Sequence, residues 1–370
     1  MRCAVKLTVF SMFVAMVCGA FGSVPALAAE RVLHIYNWSD YIDPTILEAF
    51  TKETKIKVVY DVYDQNEALE TKLLAGGTGY DIVVPTASFL KRQIEVGLFQ
   101  KLDKSKLPNL KNGWDFINEK LATYDPGNQY AVNYVWGTTG IGINVKAVKE
   151  ALGENAPVDS LALVFNKDNM QKLAKCGVYF LDTPEEIVPA VLTYKGINPG
   201  SQKTEDYKVA EAALKEVRPY IKKFHSSEYI NALANGDICV VLGWSGDILQ
   251  ARSRAIEAKN GVEIAYHVPK EGALMWFDSM AIPADAKNVA EAHEFINFIN
   301  RPEMMALASN FIKYPNGNKA SQAFIDKDVL NDKAIYPDQA VLDRLYTNLP
   351  ADPAAQRVVT RIWTSIKTKR

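Results

Sequence analysis

Residues 130–144 read Tyr-Ala-Val-Asn-Tyr-Val-Trp-Gly-Thr-Thr-Gly-Ile-Gly-Ile-Asn (YAVNYVWGTTGIGIN), a stretch that is extended in character, aromatic, glycine-rich and almost without charge. It is a candidate for a segment that carries the chain from one domain to another. A second extended stretch, Val262 to Pro283, alternates apolar and polar residues and can carry the chain back. On both sides of the first crossing, strand patterns alternate with helix patterns, which is the signature of a parallel α/β sheet.

Upstream, Val32 to Tyr36 reads as a strand. Asp43 and Pro44 then open a helix over Thr45 to Thr54, with Asp43 as N-cap and Pro44 at the first helical position. Ile56 to Tyr63 is a second strand, Glu67 to Leu74 a helix stopped by Gly76-Gly77, and Asp81 to Pro85 a third strand. Downstream, Cys176 to Leu181 and Ile238 to Leu242 read as strands, and Pro184 to Thr193 and Lys208 to Lys222 as helices. Ala290 to Asn300 and Pro302 to Phe311 are helical, followed by a polar helical tail. A chain of 370 residues divides into two domains on size alone. The expected fold is two α/β lobes, 29–136 with 272–318 and 137–271 with 319–370, forming a clamshell with two extended crossovers. Its cleft falls at the strand ends, where ligands of open α/β sheets collect.

The first 28 residues read as a cleaved signal peptide. Arg2 and Lys6 give a basic start, Leu7 to Val24 an apolar stretch, and Ala26-Leu27-Ala28 a cleavage site. Cys18 does not make a lipid-attachment signal, because Val17 stands where a small residue is needed. Of 42 basic and 43 acidic side chains, that segment removes only the two basic ones, leaving a slightly acidic chain. Such a balance gives no basic patch for nucleic acid. Cys176 and Cys239 remain for an oxidising compartment, where the expectation is one disulfide and the alternative two buried thiols.

Enzyme signatures fail one by one. Gly243-Trp244-Ser245-Gly246-Asp247 has Asp where a nucleophile elbow needs Gly, and Gly140-Ile141-Gly142 lacks the third glycine of a dinucleotide fingerprint. His34, His225, His267 and His293 are scattered without metal-ligand spacing. No metal and no cofactor is expected, although catalytic residues far apart in sequence would leave no motif.

Three tryptophans stand beside an aspartate at a meaningful spacing: Trp38 and Asp40 in a loop, Trp244 and Asp247 where a helix begins, and Trp276 and Asp278 on one face of a strand. An indole face and a carboxylate together suit an alkylammonium group. Each pair also has a plain structural explanation, since Trp is often a core residue and Asp247 can cap its helix. Thr183-Pro184-Glu185-Glu186 fits a capping box, which assigns Glu186 to the helix start.

The segments YNWSDYI (36–42), YDVYDQNEALETKLLAGGTGYDIVVPTASFL (60–90), VWGTTGIGIN (135–144), CGVYFLDTPEE (176–186), FHSSEYINALANGDICVVLGWSGD (224–247) and VPKEGA (268–273) carry a resemblance. The sequence resembles the periplasmic putrescine- and spermidine-binding proteins of bacterial polyamine ABC transporters. That resemblance implies a type II-like periplasmic clamshell, a monomer that closes on a polyamine and docks to a membrane permease. It also implies a ligand set of Trp38, Ser39, Asp40, Tyr41, Thr86, Ser88, Glu186, Trp244, Asp247, Trp276, Asp278 and Tyr314. Trp276 stands where putrescine-type members tend to have Phe, and Thr183 lacks the carboxylate expected for a central amine, so the reading leans only slightly to spermidine or dual use. Three other readings stay open: a receptor for another solute, a polyamine sensor and a secreted enzyme. An amino-acid receptor would need an arginine in the cleft, and Arg252 and Arg254 follow Asp247 on its helix.

Overall fold

The computed structural model describes residues 30–368. The signal-peptide expectation over 1–28, with Cys18, lies outside the described residues. Among those described, no helix is long and apolar enough to cross a membrane.

The first crossing is a single strand. With β1 Val32–Trp38, β2 Lys57–Tyr63 and β3 Ile82–Val83 preceding it, β4 runs over Ala131–Asn144 and is buried along nearly its whole length. Burial on both faces is what an uncharged aromatic and β-branched run requires. The remaining strands are β5 Val178–Phe180, β6 Lys223–Phe224, β7 Val240–Trp244, β8 Ile264–His267, β9 Ala273–Ala281 and β10 Leu345–Tyr346. They order as β2-β1-β3-β9-β4-β7-β5-β6, with β8 against β4 and β10 against β9.

β4 changes partner midway. Ala131 to Thr138 pair antiparallel with β9, and from Thr139 to Ile143 the strand pairs with β7. The outer strands on each side are parallel: β1 with β2 and β3, β5 with β6 and β7. The second expected extended stretch runs back along β4 in two pieces, β8 opposite Ile141–Asn144 and β9 opposite Ala131–Thr138, both antiparallel to it, with an interruption between His267 and Ala273.

Two hydrophobic cores flank this exchange. One is built from residues between Leu33 and Trp136 and between Leu274 and Tyr314. The other is built mainly from residues between Ile141 and Tyr266 and between Ile325 and Ile366, while Trp244 packs against both. Cys176 and Cys239 are disulfide-bonded in the second core, closing a 63-residue separation.

Local signals hold where they are backbone signals. Asp43 caps helix Pro44–Thr54 by accepting from the Thr45 amide at 2.9 Å. The expected helix over Lys208 to Lys222 is instead Thr204–Val217, followed by a short 3-10 turn at Pro219 and strand β6. Proline removes the amide that continued helix would need.

Candidate functional site

Where β4 changes partner, side chains from both cores converge on a cavity of about 430 Å³. Trp38, Ser39 and Tyr41 reach it from the end of β1, Thr86 from the start of helix Ala87–Glu95, and Trp276 and Asp278 from β9. From the other core come Glu186 on helix Pro184–Tyr194 and Trp244 and Asp247 at the start of helix Ser245–Ala258. Tyr314, just after helix Pro302–Ile312, completes the group.

Three carboxyl groups dominate its chemistry. Asp278 accepts from Tyr41 Oη at 2.6 Å and from Thr86 Oγ1 at 2.7 Å. Asp247 accepts from Tyr229 Oη and Tyr314 Oη, each at 2.8 Å. Glu186 accepts from Trp244 Nε1 at 2.9 Å and from the Thr139 hydroxyl. All three are pushed up to about 7, first by burial, while the hydroxyl and indole donors pull the other way. Each thus retains an electrostatic demand for positive charge that neutral donors do not meet. No lysine or arginine is among the residues that line the cavity.

The aromatic rings form the walls. Trp38 meets Tyr63 at 4.7 Å and Trp244 at 5.6 Å between centroids, the second contact spanning the two cores. Trp276 and Tyr314 meet at 5.2 Å. Trp38 is oriented by its Nε1–H bond to the Val84 carbonyl at 2.9 Å, whereas Trp276 Nε1 has no partner among the described residues. Two glycines make room for these rings. A Cβ at Gly137 would lie 2.5 Å from the Trp276 ring, and one at Gly246 would enter the Tyr314 ring. Ring faces and paired carboxylates together suit a flexible cation with two or more charged nitrogens.

Ten of the twelve candidate residues line this cavity: Trp38, Ser39, Tyr41, Thr86, Glu186, Trp244, Asp247, Trp276, Asp278 and Tyr314. Ser88 instead lines an adjoining cavity of about 860 Å³, which shares Thr86, Glu186 and Trp276 with the first. Asp40 is exposed and ion-paired to Arg254 at 2.8 Å. The capping-box reading of Glu186 does not hold, because Thr183 makes no side-chain cap bond and Glu186 turns to Trp244 and Thr139. Nor does Asp247 act as an N-cap, a position taken by Trp244. Tyr229, Tyr63 and Asp64 are participants the sequence reading missed; Tyr63 and Asp64 line the cavity and Tyr229 holds Asp247. Tyr63 closes a strand and Tyr229 opens an apolar helix, so nothing local separates them from core residues. No histidine lines the cavity, and His293 Nε2 accepts from the Asp103 amide at 2.9 Å. Among the described residues no cluster of three or more His, Cys, Asp or Glu is placed to hold a metal.

Residues 45–337 match the family described as bacterial extracellular solute-binding protein. The putrescine-binding periplasmic protein SpuD of Pseudomonas aeruginosa is 54% identical over 352 residues, covering 95% of each chain. The putrescine-binding periplasmic protein PotF of Escherichia coli is 53% identical over 348 residues, covering 94% of each. Among solved structures, the spermidine/putrescine ABC transporter substrate-binding protein PotD of Streptococcus pneumoniae superposes with a TM-score of 0.72 at 29% identity. That match covers 91% of this chain and 98% of the other.

Proposed function

This chain belongs to the bacterial extracellular solute-binding proteins, and from that premise we propose that it captures polyamines in the periplasm and delivers them to the permease of an ABC transporter. The observation that carries this reading is the set of three carboxyls, Asp278 and Asp247 buried and Glu186 partly buried, enclosed by tryptophan and tyrosine with no cationic side chain lining the cavity. Ammonium groups of a polyamine answer each carboxylate, and its methylene spacers lie on the indole faces. Relatives named for putrescine binding support the same class.

In this reading the residues of the two cores act as lobes, 29–136 with 272–318 and 137–271 with 319–370, hinged at the partner exchange in β4 and in the return through β9. The open form admits the ligand, and the closed form gains contacts from both sides. Trp38, Ser39, Tyr41, Thr86, Glu186, Trp244, Asp247, Trp276, Asp278 and Tyr314 form the ligand site. Asp40 sits at its rim, and Ser88 lies in the adjoining cavity. The protein binds its ligand without transforming it.

A thermal-shift panel of putrescine, cadaverine, agmatine, spermidine and spermine tests this function, because a ligand of the native state raises the melting temperature. At least one polyamine gives a concentration-dependent rise and is recovered chemically unchanged. No rise with any of them sinks the reading.

A further inference from the structure

Outside the cavity, Tyr36 and Tyr80 form a stacked pair of rings that holds a cation. β1 and β2 run parallel in a register that sets Tyr36 beside Asp61 and Trp38 beside Tyr63. Alternate residues of a strand share a face, so these side chains lie together on one side of the sheet. Tyr80, just before β3, stacks on Tyr36 with ring centroids 4.5 Å apart and planes 4° from parallel. Its hydroxyl donates to Asp61 at 2.8 Å, which leaves the ring richer in electrons. The row of rings continues inward, with Tyr36 meeting Tyr63 at 4.7 Å and Tyr63 meeting Trp38 at 4.7 Å. Trp38, Tyr63 and Asp64 line the cavity, whereas Tyr36, Tyr80 and Asp61 lie beyond it.

The cation is the ammonium of Lys72, on helix Asn66–Ala75, which lies 5.4 Å from the centroid of each stacked ring. Lys72 is exposed and has no carboxylate within ion-pair distance among the described residues. Every other lysine that meets a ring among those residues meets one ring only. A lysine side chain is a methylene stem ending in an ammonium, the same chemistry as one end of a polyamine. Burial raises the Tyr36 hydroxyl above its ordinary value, and the charges of Asp61 and Asp64 raise it further, so both carboxylates bear on the stack.

We propose that the Tyr36–Tyr80 stack, with Asp61, is an outer docking site for alkylammonium groups, occupied by the Lys72 side chain until a polyamine displaces it. An exposed contact between an ammonium and a ring face is weak, so Lys72 yields readily to a ligand that brings a second charge for Asp61 or Asp64. Tyr63 separates the stack from the cavity, in ring contact with Tyr36 on one side and Trp38 on the other. A ligand gathered there enters the cavity faster than one arriving from bulk solvent, and it leaves by the same route. The outer site therefore sets rates and not the final affinity. The inference deepens the reading above and rests on it, since both sites take the same class of ligand.

Stopped-flow tryptophan fluorescence with putrescine at low salt tests this on wild type, Tyr80→Leu, Lys72→Met and the double variant. None of these changes a residue that lines the cavity. Tyr80→Leu removes a ring and no charge, and is expected to slow association and dissociation alike by about two- to fivefold. Lys72→Met frees the stack and speeds association by a similar factor, and that gain disappears in the double variant. An association rate unchanged in Tyr80→Leu, or a gain from Lys72→Met that survives without the Tyr80 ring, overturns the outer site and leaves polyamine capture standing. No fluorescence change and no thermal shift of the wild type with any polyamine overturns both. Should Tyr80→Leu lose its melting transition, Lys52→Met takes its place as the comparison, since Lys52 is exposed and has no ring contact among the described residues. A gain in association confined to Lys72→Met then supports the outer site, and an equal gain from Lys52→Met overturns it.

Discussion

Arg254 donates to Asp40 at 2.8 Å, joining helix Ser245–Ala258 of one core to the turn after β1 of the other. Asp40 is held there by an unusual backbone, with φ at 55°, which swings its carboxylate to the outside of the cavity. Both side chains are substantially exposed, at 33% for Arg254 and 45% for Asp40. An ion pair of that kind contributes about 0–1 kcal/mol and is screened by salt. Asp40→Asn is therefore expected to weaken polyamine binding by no more than about fivefold, with the loss shrinking at high ionic strength. A loss of a hundredfold or more in calorimetry would return Asp40 to direct ligand contact.

Asp278 and Asp247 stand in the opposite situation. Each is buried, and each is held by two hydroxyl donors that leave its charge unneutralised. Replacing either by Asn leaves an ammonium group of the closed complex without its counter-charge, a cost of about 3–5 kcal/mol. The expected loss in affinity is at least a hundredfold for each variant. Calorimetry at one pH and salt concentration, beside Asp40→Asn, checks the contrast. Wild-type binding by both variants would remove these carboxylates from the site.

The three raised carboxyls give binding a pH dependence of fixed sign. Burial lifts Asp278, Asp247 and Glu186 to about 7, so protons occupy them increasingly below neutrality. A polyamine needs the ionised forms and must displace those protons. The ligand-induced rise in melting temperature should therefore be larger at about pH 7.5 than at about pH 5.5, with protons released on binding at the lower value. Without ligand the same shifts act in reverse. Their contribution to stability is full below about pH 4 and is lost as pH rises through about 7. A ligand-induced shift that is larger at the acidic pH contradicts the assignment.

Where a residue's role follows from local backbone geometry, it was legible in the sequence. Asp43 and Pro44 predict the helix they start, and the uncharged run through Trp136 predicts a buried crossing strand. Trp276 and Asp278 were readable as a pair because a strand places alternate residues on one face. Trp38 and Asp40 have the same spacing, but the left-handed backbone at Asp40 breaks that rule, and Asp carries no mark in the sequence that it will adopt it. Glu186 fits a capping box perfectly well as a string. Only the tertiary approach of Trp244 and Thr139 takes it away from the helix end. Tyr229 reads as core and is core, yet its hydroxyl holds Asp247. Such double duty is a property of packing and leaves no spacing to detect.

Trp276 lines both the aromatic site and the adjoining larger cavity, together with Thr86 and Glu186. A ligand longer than a diamine has room to pass it toward that second space. Trp276→Phe keeps an aromatic face but removes the outer ring and the unpartnered Nε1–H. The expected outcome is a changed ratio of spermidine to putrescine affinity, by about threefold or more, since one ring contact is worth about 0.5–1.5 kcal/mol. A thermal-shift panel with both ligands reads this directly. An unchanged order and ratio would remove Trp276 as a determinant of selectivity.

Gly246 tests whether the rings must sit where they do. Its Cα faces the Tyr314 ring so closely that a methyl group would occupy ring atoms, and Tyr314 in turn donates to Asp247 at 2.8 Å. Gly246 has no positive φ, so alanine is acceptable to the backbone and the whole penalty falls on the neighbouring ring. Gly246→Ala should push Tyr314 out of register with Asp247, leaving that buried carboxylate one donor short. The fold persists, because helix propensity favours alanine over glycine by roughly 1 kcal/mol and offsets part of the clash. Affinity for polyamine should fall at least tenfold while the ligand-free melting temperature moves only a few degrees. Combining it with Tyr314→Phe separates the two effects. If the hydroxyl contact is what Gly246 protects, the double variant binds no worse than the more damaging single one. Additive losses would mean that Gly246 acts on the site by another route.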